Sequence, residues 1–111
     1  MKLIDDAVCD AAVEYLNGQA DAAAQAYADR DMAKYYREAK RAELMLQAPY
    51  KTQGLREAWA ESHAFYLEAC RQEAQAIKEV RWHQHQMARA TTVLDVWRSQ
   101  NARERGFARI G

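Results

Sequence analysis

The stretch LQAPYKTQGL (residues 46–55) decides the fold, because it holds the single proline of the chain together with Gly54. Pro49 pushes the preceding Ala48 away from helical backbone angles, so a helix that arrives from the N-terminal side ends there. Residues 48–54 are therefore predicted to form a turn. After Leu55 the sequence contains no Gly or Pro until Gly106. These positions of Pro and Gly predict a helical hairpin whose second arm is one long C-terminal helix.

The composition favours an all-α protein. Of the 111 residues, 23 are Ala, only 4 are Gly and 1 is Pro. Such a chain suits helices that pack closely, and it lacks the β-branched runs and frequent turns of a sandwich or barrel. The length fits a single helical domain over residues 1–111. No apolar run reaches the roughly 18 residues of a membrane span, and no signal-peptide pattern opens the chain, which predicts a cytoplasmic protein without membrane contact.

Periodicity predicts three helical segments. The first is a short N-terminal helix over residues 3–16, which Asn17 and Gly18 are expected to stop. The second covers residues 21–47, and the third covers residues 55–104 with Thr52 as a candidate cap and an alternative break near residue 91. The apolar residues of the second segment step by threes and fours, which predicts that they share one helix face. They are Ala24, Ala28, Met32, Tyr35, Ala39, Ala42 and Leu46.

The third segment carries a coiled-coil-like seam in two registers, each with a seven-residue spacing. One register holds Leu55, Ser62, Ala69, Ala76, His83, Ala90 and Trp97, and the other holds Trp59, Tyr66, Glu73, Val80, Met87 and Leu94. Together they alternate small and large side chains, which allows helices to interlock.

The predicted helices differ in length, and this difference predicts self-association. A 27-residue second helix would be about 40 Å long and a 50-residue third helix about 75 Å. The far half of the third helix would then be uncovered. Apolar surface of that kind is rarely left in water, so either the first segment folds over it or a second chain covers it. Because the first segment is only about 14 residues long, we predict a homodimer whose seam contains Val80, Met87 and Leu94.

Catalytic and metal-binding motifs are weak throughout the sequence. His83 and His85 are two residues apart and point to nearly opposite sides of a helix, whereas helical metal ligands are spaced by three or four. No Glu is followed three residues later by His, so the ligand pattern of a di-iron bundle is missing. Ser62 and His63 are adjacent and lie outside any nucleophile elbow. We therefore expect neither a metal nor a cofactor, and no enzymatic activity.

The charge is unevenly distributed although the net charge is zero. Residues 1–31 contain seven acidic and two basic residues, and the remaining 80 contain nine acidic and fourteen basic residues. Basic residues near the end of the chain suggest phosphate contacts, with Trp97 and Phe107 for base stacking. Against this interpretation, a pI near 6.8 is low for a dedicated nucleic-acid binder.

Two stretches resemble a group of small helical phage and prophage proteins. One is TQGLREAWAES (residues 52–62), where an Arg-Glu-Ala turn opens a long helix, and the other is VWRSQNARER (residues 96–105). The resemblance covers about residues 25–106. It implies an accessory or inhibitory protein from recombination, replication or early host-takeover genes, and it supplies no catalytic or ligand residue.

Taken together, these patterns predict a non-enzymatic interaction protein that binds and modulates a host or phage protein. The alternative is a DNA-binding accessory protein of phage recombination or replication that uses the Arg-rich C-terminal end. Aromatic and Arg side chains dominate protein interfaces, so they are the predicted contact residues. These are Tyr36, Arg37, Trp82, Trp97, Arg98, Arg103 and Arg105.

Overall fold

The structure of the protein is a computed structural model that describes residues 3–110, with the side chains of residues 3–106. It contains three helices, α1 (Asp6–Gln47), α2 (Gln53–Ser62) and α3 (Ala64–Ile110). No strand occurs among the described residues, which confirms the all-α prediction. Phe107, the second aromatic side chain predicted to stack on bases, lies outside the described side chains.

The long helix α1 packs against α3 in the predicted hairpin-like arrangement. The chain divides into two compact units. The terminal unit combines Met1–Ala23 with Trp82–Gly111, and the turn unit is Ala24–Arg81. Each unit contains a segment of α1 and a segment of α3, so each has its own helix-to-helix packing.

The prediction of a short N-terminal helix was wrong, because α1 runs without interruption from Asp6 to Gln47. Asp5 precedes it and acts as the N-terminal cap: the Val8 N–H donates a hydrogen bond of 2.9 Å to Asp5 Oδ1. Asn17 and Gly18 lie inside the helix instead of ending it. A glycine in a helix interior costs only about 1 kcal/mol relative to alanine, and packing along the helix can offset that amount.

A turn containing Pro49 is present, but it covers residues 48–52 and not the predicted 48–54, and the helical segment that follows it is divided. Helix α2 begins at Gln53, after Thr52 in extended backbone, and ends at Ser62. His63 adopts φ −72° and ψ 142°, which breaks the helix. The Phe65 N–H then donates to His63 Nδ1 at 3.1 Å, so the imidazole caps the start of α3.

The break near residue 91, which the sequence left open, does not occur, since α3 continues through Thr91 and Thr92. Their hydroxyl groups donate to the carbonyl oxygens of Met87 and Ala88, four residues earlier. Because both hydroxyl groups form hydrogen bonds within α3, neither threonine caps a new helix.

The predicted seam of α3 is confirmed from Tyr66 to Trp97. Every member in this range is buried or half-buried: Tyr66, Ala69, Glu73, Ala76, Val80, His83, Met87, Ala90, Leu94 and Trp97. By contrast, Leu55 and Ser62, which precede α3, are exposed.

Helix α1 has a matching line of buried and half-buried residues at alternating spacings of three and four, which we call the α1 seam. It comprises Cys9, Ala12, Leu16, Gln19, Ala23, Ala26, Arg30, Ala33, Arg37, Lys40 and Leu44. This line is not the apolar face predicted from the sequence. All seven residues of the predicted face, from Ala24 to Leu46, are exposed.

The structure removes the length argument for a homodimer. Helix α1 has 42 residues and α3 has 47, so the two long helices are of similar length. Val80 is only 3% exposed, and Met87 and Leu94 are half-buried within the single chain. These three side chains are therefore already covered, and self-association stays a prediction without that support.

Candidate functional site

An exposed apolar stripe runs along α1 in the turn unit. We call it the outer stripe, and it comprises Ala24, Ala28, Met32, Tyr35, Ala39, Ala42 and Leu46. The large members are well exposed: Met32 is 66%, Tyr35 65% and Leu46 85% accessible. At 100° per residue, Tyr35 lies about 200° from Ala33, and Ala42 about 200° from Leu44. The outer stripe therefore faces away from the α1 seam.

The outer stripe arises because apolar residues occupy two faces of α1 while charged residues enter the seam. Arg37, a seam residue, donates through Nε to Glu73 Oε2 at 2.8 Å and through Nη1 to Tyr66 at 3.4 Å. The bond to Glu73 raises the pKa of Arg37, and Tyr66 adds to this effect. The half-buried guanidinium of Arg37 is thus compensated by Glu73 and Tyr66.

A second charge cluster joins α1 to α2. Arg41 contacts Glu61 at 2.8 Å and Glu57 at 3.8 Å. The hydrogen bond that it donates to Glu61 raises the pKa of Arg41. These pairs link α2 to the last turns of α1.

A small aromatic cleft is formed by Tyr36 and Phe65, on α1 and α3 of the turn unit. Lys40 lies between the two rings, with Nζ 5.7 Å from the Tyr36 centroid and 5.9 Å from the Phe65 centroid. The hydrogen bond that Lys40 donates to Glu43 raises the pKa of Lys40, and its ammonium group lies within cation–π distance of both rings. The cleft has a volume of about 220 Å³, and both rings remain exposed. Tyr36 is thus a predicted contact residue that the structure leaves accessible.

Two other predicted contact residues already have partners within the chain. Arg37 pairs with Glu73. In the terminal unit, Trp97 is half-buried, and its Nε1 donates to Asp6 Oδ1 at 3.0 Å. Gln100, one turn further along α3, accepts from Leu3 N and Ile4 N and donates to the Ile4 carbonyl. Trp97 therefore belongs to the contacts that hold the start of the chain against α3.

The predicted Arg cluster near the C-terminus is exposed but does not form one patch. Arg98 and Arg105 are seven residues apart and share a side of α3, whereas Arg103 lies about 140° from Arg98. Arg98 lies 3.8 Å from Asp95. Arg103 lines a groove of about 590 Å³ that also contains Leu3, Gln100 and Glu104.

Trp82 and the histidines are separate features. Trp82 is 51% exposed and contacts His83 edge-on, with ring centroids 5.0 Å apart. His83 lies in the seam, His85 is exposed and His63 caps α3. Within the part of the chain that the structure describes, no group of three or more His, Cys, Asp or Glu residues could hold a metal ion.

Sequence reasoning found Tyr36 and Trp82 as accessible aromatic residues but missed the outer stripe as a surface. The spacing of the stripe residues predicts that they share one helix face, and the structure shows that this face is exposed.

Protein-family models, curated proteins and solved structures gave no match to this chain. The resemblance to phage proteins therefore stays a prediction. Among the described residues, no helix is long and apolar enough to span a membrane.

Proposed function

We propose that this chain is a non-enzymatic interaction protein, phage- or prophage-derived, that binds a helix of a host or phage protein and modulates or inhibits that protein. The outer stripe is the observation that carries the proposal. It extends over six helical turns with seven apolar residues and no charged residue among them. Exposed apolar patches with polar borders mark interaction sites more often than unused surface.

The composition of the outer stripe supports a helix as the bound element. From Ala28 to Leu46 the spacing alternates between four and three residues, which is the repeat by which two helices pack along a seam. Met and Tyr supply the large contacts, and the alanines allow the partner backbone to approach. Tyr36 and Phe65, beside Lys40, extend the aromatic surface from the edge of the outer stripe.

A triple substitution tests this function. Met32→Gln, Tyr35→Gln and Leu46→Gln keep good helix formers at exposed positions, so we expect the hairpin to fold normally by circular dichroism. The matched control carries Val13→Gln, Leu55→Gln and Leu67→Gln, three exposed apolar residues outside the outer stripe. Each protein is used to capture partners from host lysate, and captured candidates are purified for binary titration.

We expect a defined protein to bind the wild type and the control with the same affinity. Losing three large buried contacts should weaken its binding to the stripe variant at least a hundredfold. If the folded stripe variant binds the same proteins with unchanged affinity, the outer stripe is not the binding surface and the proposal is wrong.

DNA binding by the C-terminal end is the second candidate, and the exposure of Arg98 and Arg105 on one side of α3 favours it. Trp97, proposed for base stacking, is held by Asp6, which places this candidate second. Titration with single- and double-stranded DNA at two salt concentrations tests it. Binding through phosphates should weaken steeply as salt rises, and absence of binding at low salt would exclude it.

A further inference from the structure

The residues that border the outer stripe are predominantly acidic. In a helix that packs along a seven-residue repeat, two positions flank each apolar pair and meet the flanking positions of the partner helix. On α1 these positions are Asp29, Tyr36 and Glu43 along one edge, and Asp31, Glu38 and Met45 along the other. All four charged members are carboxylates. We call Asp29, Asp31, Glu38 and Glu43 the acidic rim; Lys34 and Lys40 lie one step further from the outer stripe.

The acidic rim is accessible and only locally compensated. All four of its residues are exposed. Arg30 contacts Asp31 at 3.3 Å, Lys40 contacts Glu43 at 3.1 Å, and the Gln25 amide donates to Asp29 at 2.8 Å. Exposed pairs of this kind contribute little stability, and a carboxylate can accept further hydrogen bonds. The rim carboxylates can therefore exchange these partners for basic groups of a bound helix.

The acidic rim disfavours a second copy of this chain on the outer stripe. In an antiparallel pairing with Tyr35 of one copy opposite Ala39 of the other, Asp29 would face Glu43. In the antiparallel register with Tyr35 opposite Met32, Asp31 would face Glu38. In a parallel pairing, Glu38 would lie opposite Glu43. Like charges at facing positions weaken such a pairing in either orientation.

We infer that the outer stripe binds a basic amphipathic helix, in which Lys or Arg residues flank an apolar seam, supplied by a partner protein. This inference rests on the proposed function and specifies its partner. Two observations support this inference. The four–three spacing of the outer stripe matches the packing of a partner helix, and the acidic rim favours basic residues beside the apolar seam of that helix. The acidic rim likewise repels nucleic-acid phosphates and anionic lipid surfaces from this face of α1.

Two synthetic peptides test the inference directly. Both have four heptads with the same Leu and Ala seam, but one carries Lys at every flanking position and the other carries Glu. Calorimetric titration of the full chain at low and high salt should show that the Lys peptide binds at least tenfold more tightly than the Glu peptide. The difference should shrink at high salt because exposed charges are screened.

Two variants separate the rim from the stripe. Replacement of the rim by Asp29→Asn, Asp31→Asn, Glu38→Gln and Glu43→Gln should weaken the Lys peptide about tenfold, since each exposed charge contact contributes a factor of about two. The stripe variant with Gln at positions 32, 35 and 46 should lose the Lys peptide altogether. That second result excludes binding of the peptide to the acidic N-terminal segment by charge alone.

Several results would overturn the inference. Equal binding of the two peptides, a preference for the Glu peptide, or no binding of either would show that the partner is not a basic helix. A dimer in light scattering that the stripe variant dissociates would show that a second copy occupies the outer stripe. The peptide results leave the proposed function to be judged by the capture experiment, whereas a dimer formed through the outer stripe would overturn both.

Discussion

Replacing Gly18 by Ala should stabilise the protein, and the sign of the effect distinguishes two backbone conformations. Gly18 is an exposed residue in the interior of α1, and a Cβ added there would meet nothing within 4 Å. Alanine favours a helix interior over glycine by about 1 kcal/mol, and no steric cost reduces this gain. For a chain of 111 residues, a gain of that size raises the melting temperature by about 4 °C.

Urea unfolding followed by far-ultraviolet circular dichroism measures this change, with calorimetry for the melting temperature. Gly54→Ala is the matched control, because Gly54 lies in the first turn of α2, also without neighbours around an added Cβ. We expect a smaller gain there, since helix propensity has less effect at a terminus. If Asn17 and Gly18 instead ended a short helix with Gly18 in left-handed backbone, alanine would be strained and the variant destabilised by about 1 kcal/mol. A loss of stability would thus refute the continuous α1.

Two further predictions concern the helix break and the cysteines. His63→Ala should lower the free energy of unfolding by about 1 kcal/mol, because the Phe65 N–H loses its hydrogen-bond acceptor. His63→Asp should retain most of the stability, because Asp can also cap α3. Equal stabilities of the two variants in urea unfolding would contradict the capping role. Burial raises the pKa of the Cys9 thiol, so its reactive thiolate forms at higher pH than in an exposed cysteine, whereas Cys70 is only half-buried. With an aromatic disulfide reagent at about pH 8, just below the ordinary thiol pKa, Cys70 should therefore react before Cys9. The variants Cys9→Ser and Cys70→Ser show which rate belongs to which thiol. Faster reaction of Cys9 would contradict its burial.

The sequence allowed the turn and the α3 seam to be predicted because both depend on local signals. Pro49 disfavours helical backbone at Ala48 through local steric contact alone. The seven-residue spacing from Tyr66 to Trp97 repeats often enough to identify the buried face. The break at His63 carried no such signal, since neither Ser62 nor His63 disrupts helices by itself. It depends on the imidazole reaching the Phe65 amide in the folded chain.

The sequence identifies an apolar face of α1 but not which face of that helix is buried, and the reason is physical. Ala23, Ala26, Ala33 and Leu44 line the buried side, but Arg37 interrupts them, whereas the opposite side is uninterrupted from Ala24 to Leu46. A pattern of hydrophobicity therefore selects the outer stripe as the core. The burial of Arg37 depends on Glu73, which is 36 residues away in sequence and becomes a neighbour only in the hairpin.

The contact-site prediction had the same limit. Tyr36 and Trp82 are accessible. Residue type alone, however, does not show which aromatic and Arg side chains form contacts within the folded chain. Arg37 and Trp97 are bound by Glu73 and Asp6. What the sequence does contain is the acidic rim, whose significance becomes visible only when the outer stripe is known to be exposed.

The charged residues inside the hairpin also restrict how related chains can change in length. A single residue inserted into α1 between Ala33 and Arg37 would rotate everything beyond it by about 100° and carry Arg37 away from Glu73. Removing seven residues from α1 keeps the remaining residues on the same helix face but shifts them by about 10 Å along the helix axis. To keep the contacts in register, seven residues must also be removed from α3. Natural variants of this hairpin should therefore gain or lose paired heptads, while single insertions and deletions collect around Lys51 in the turn.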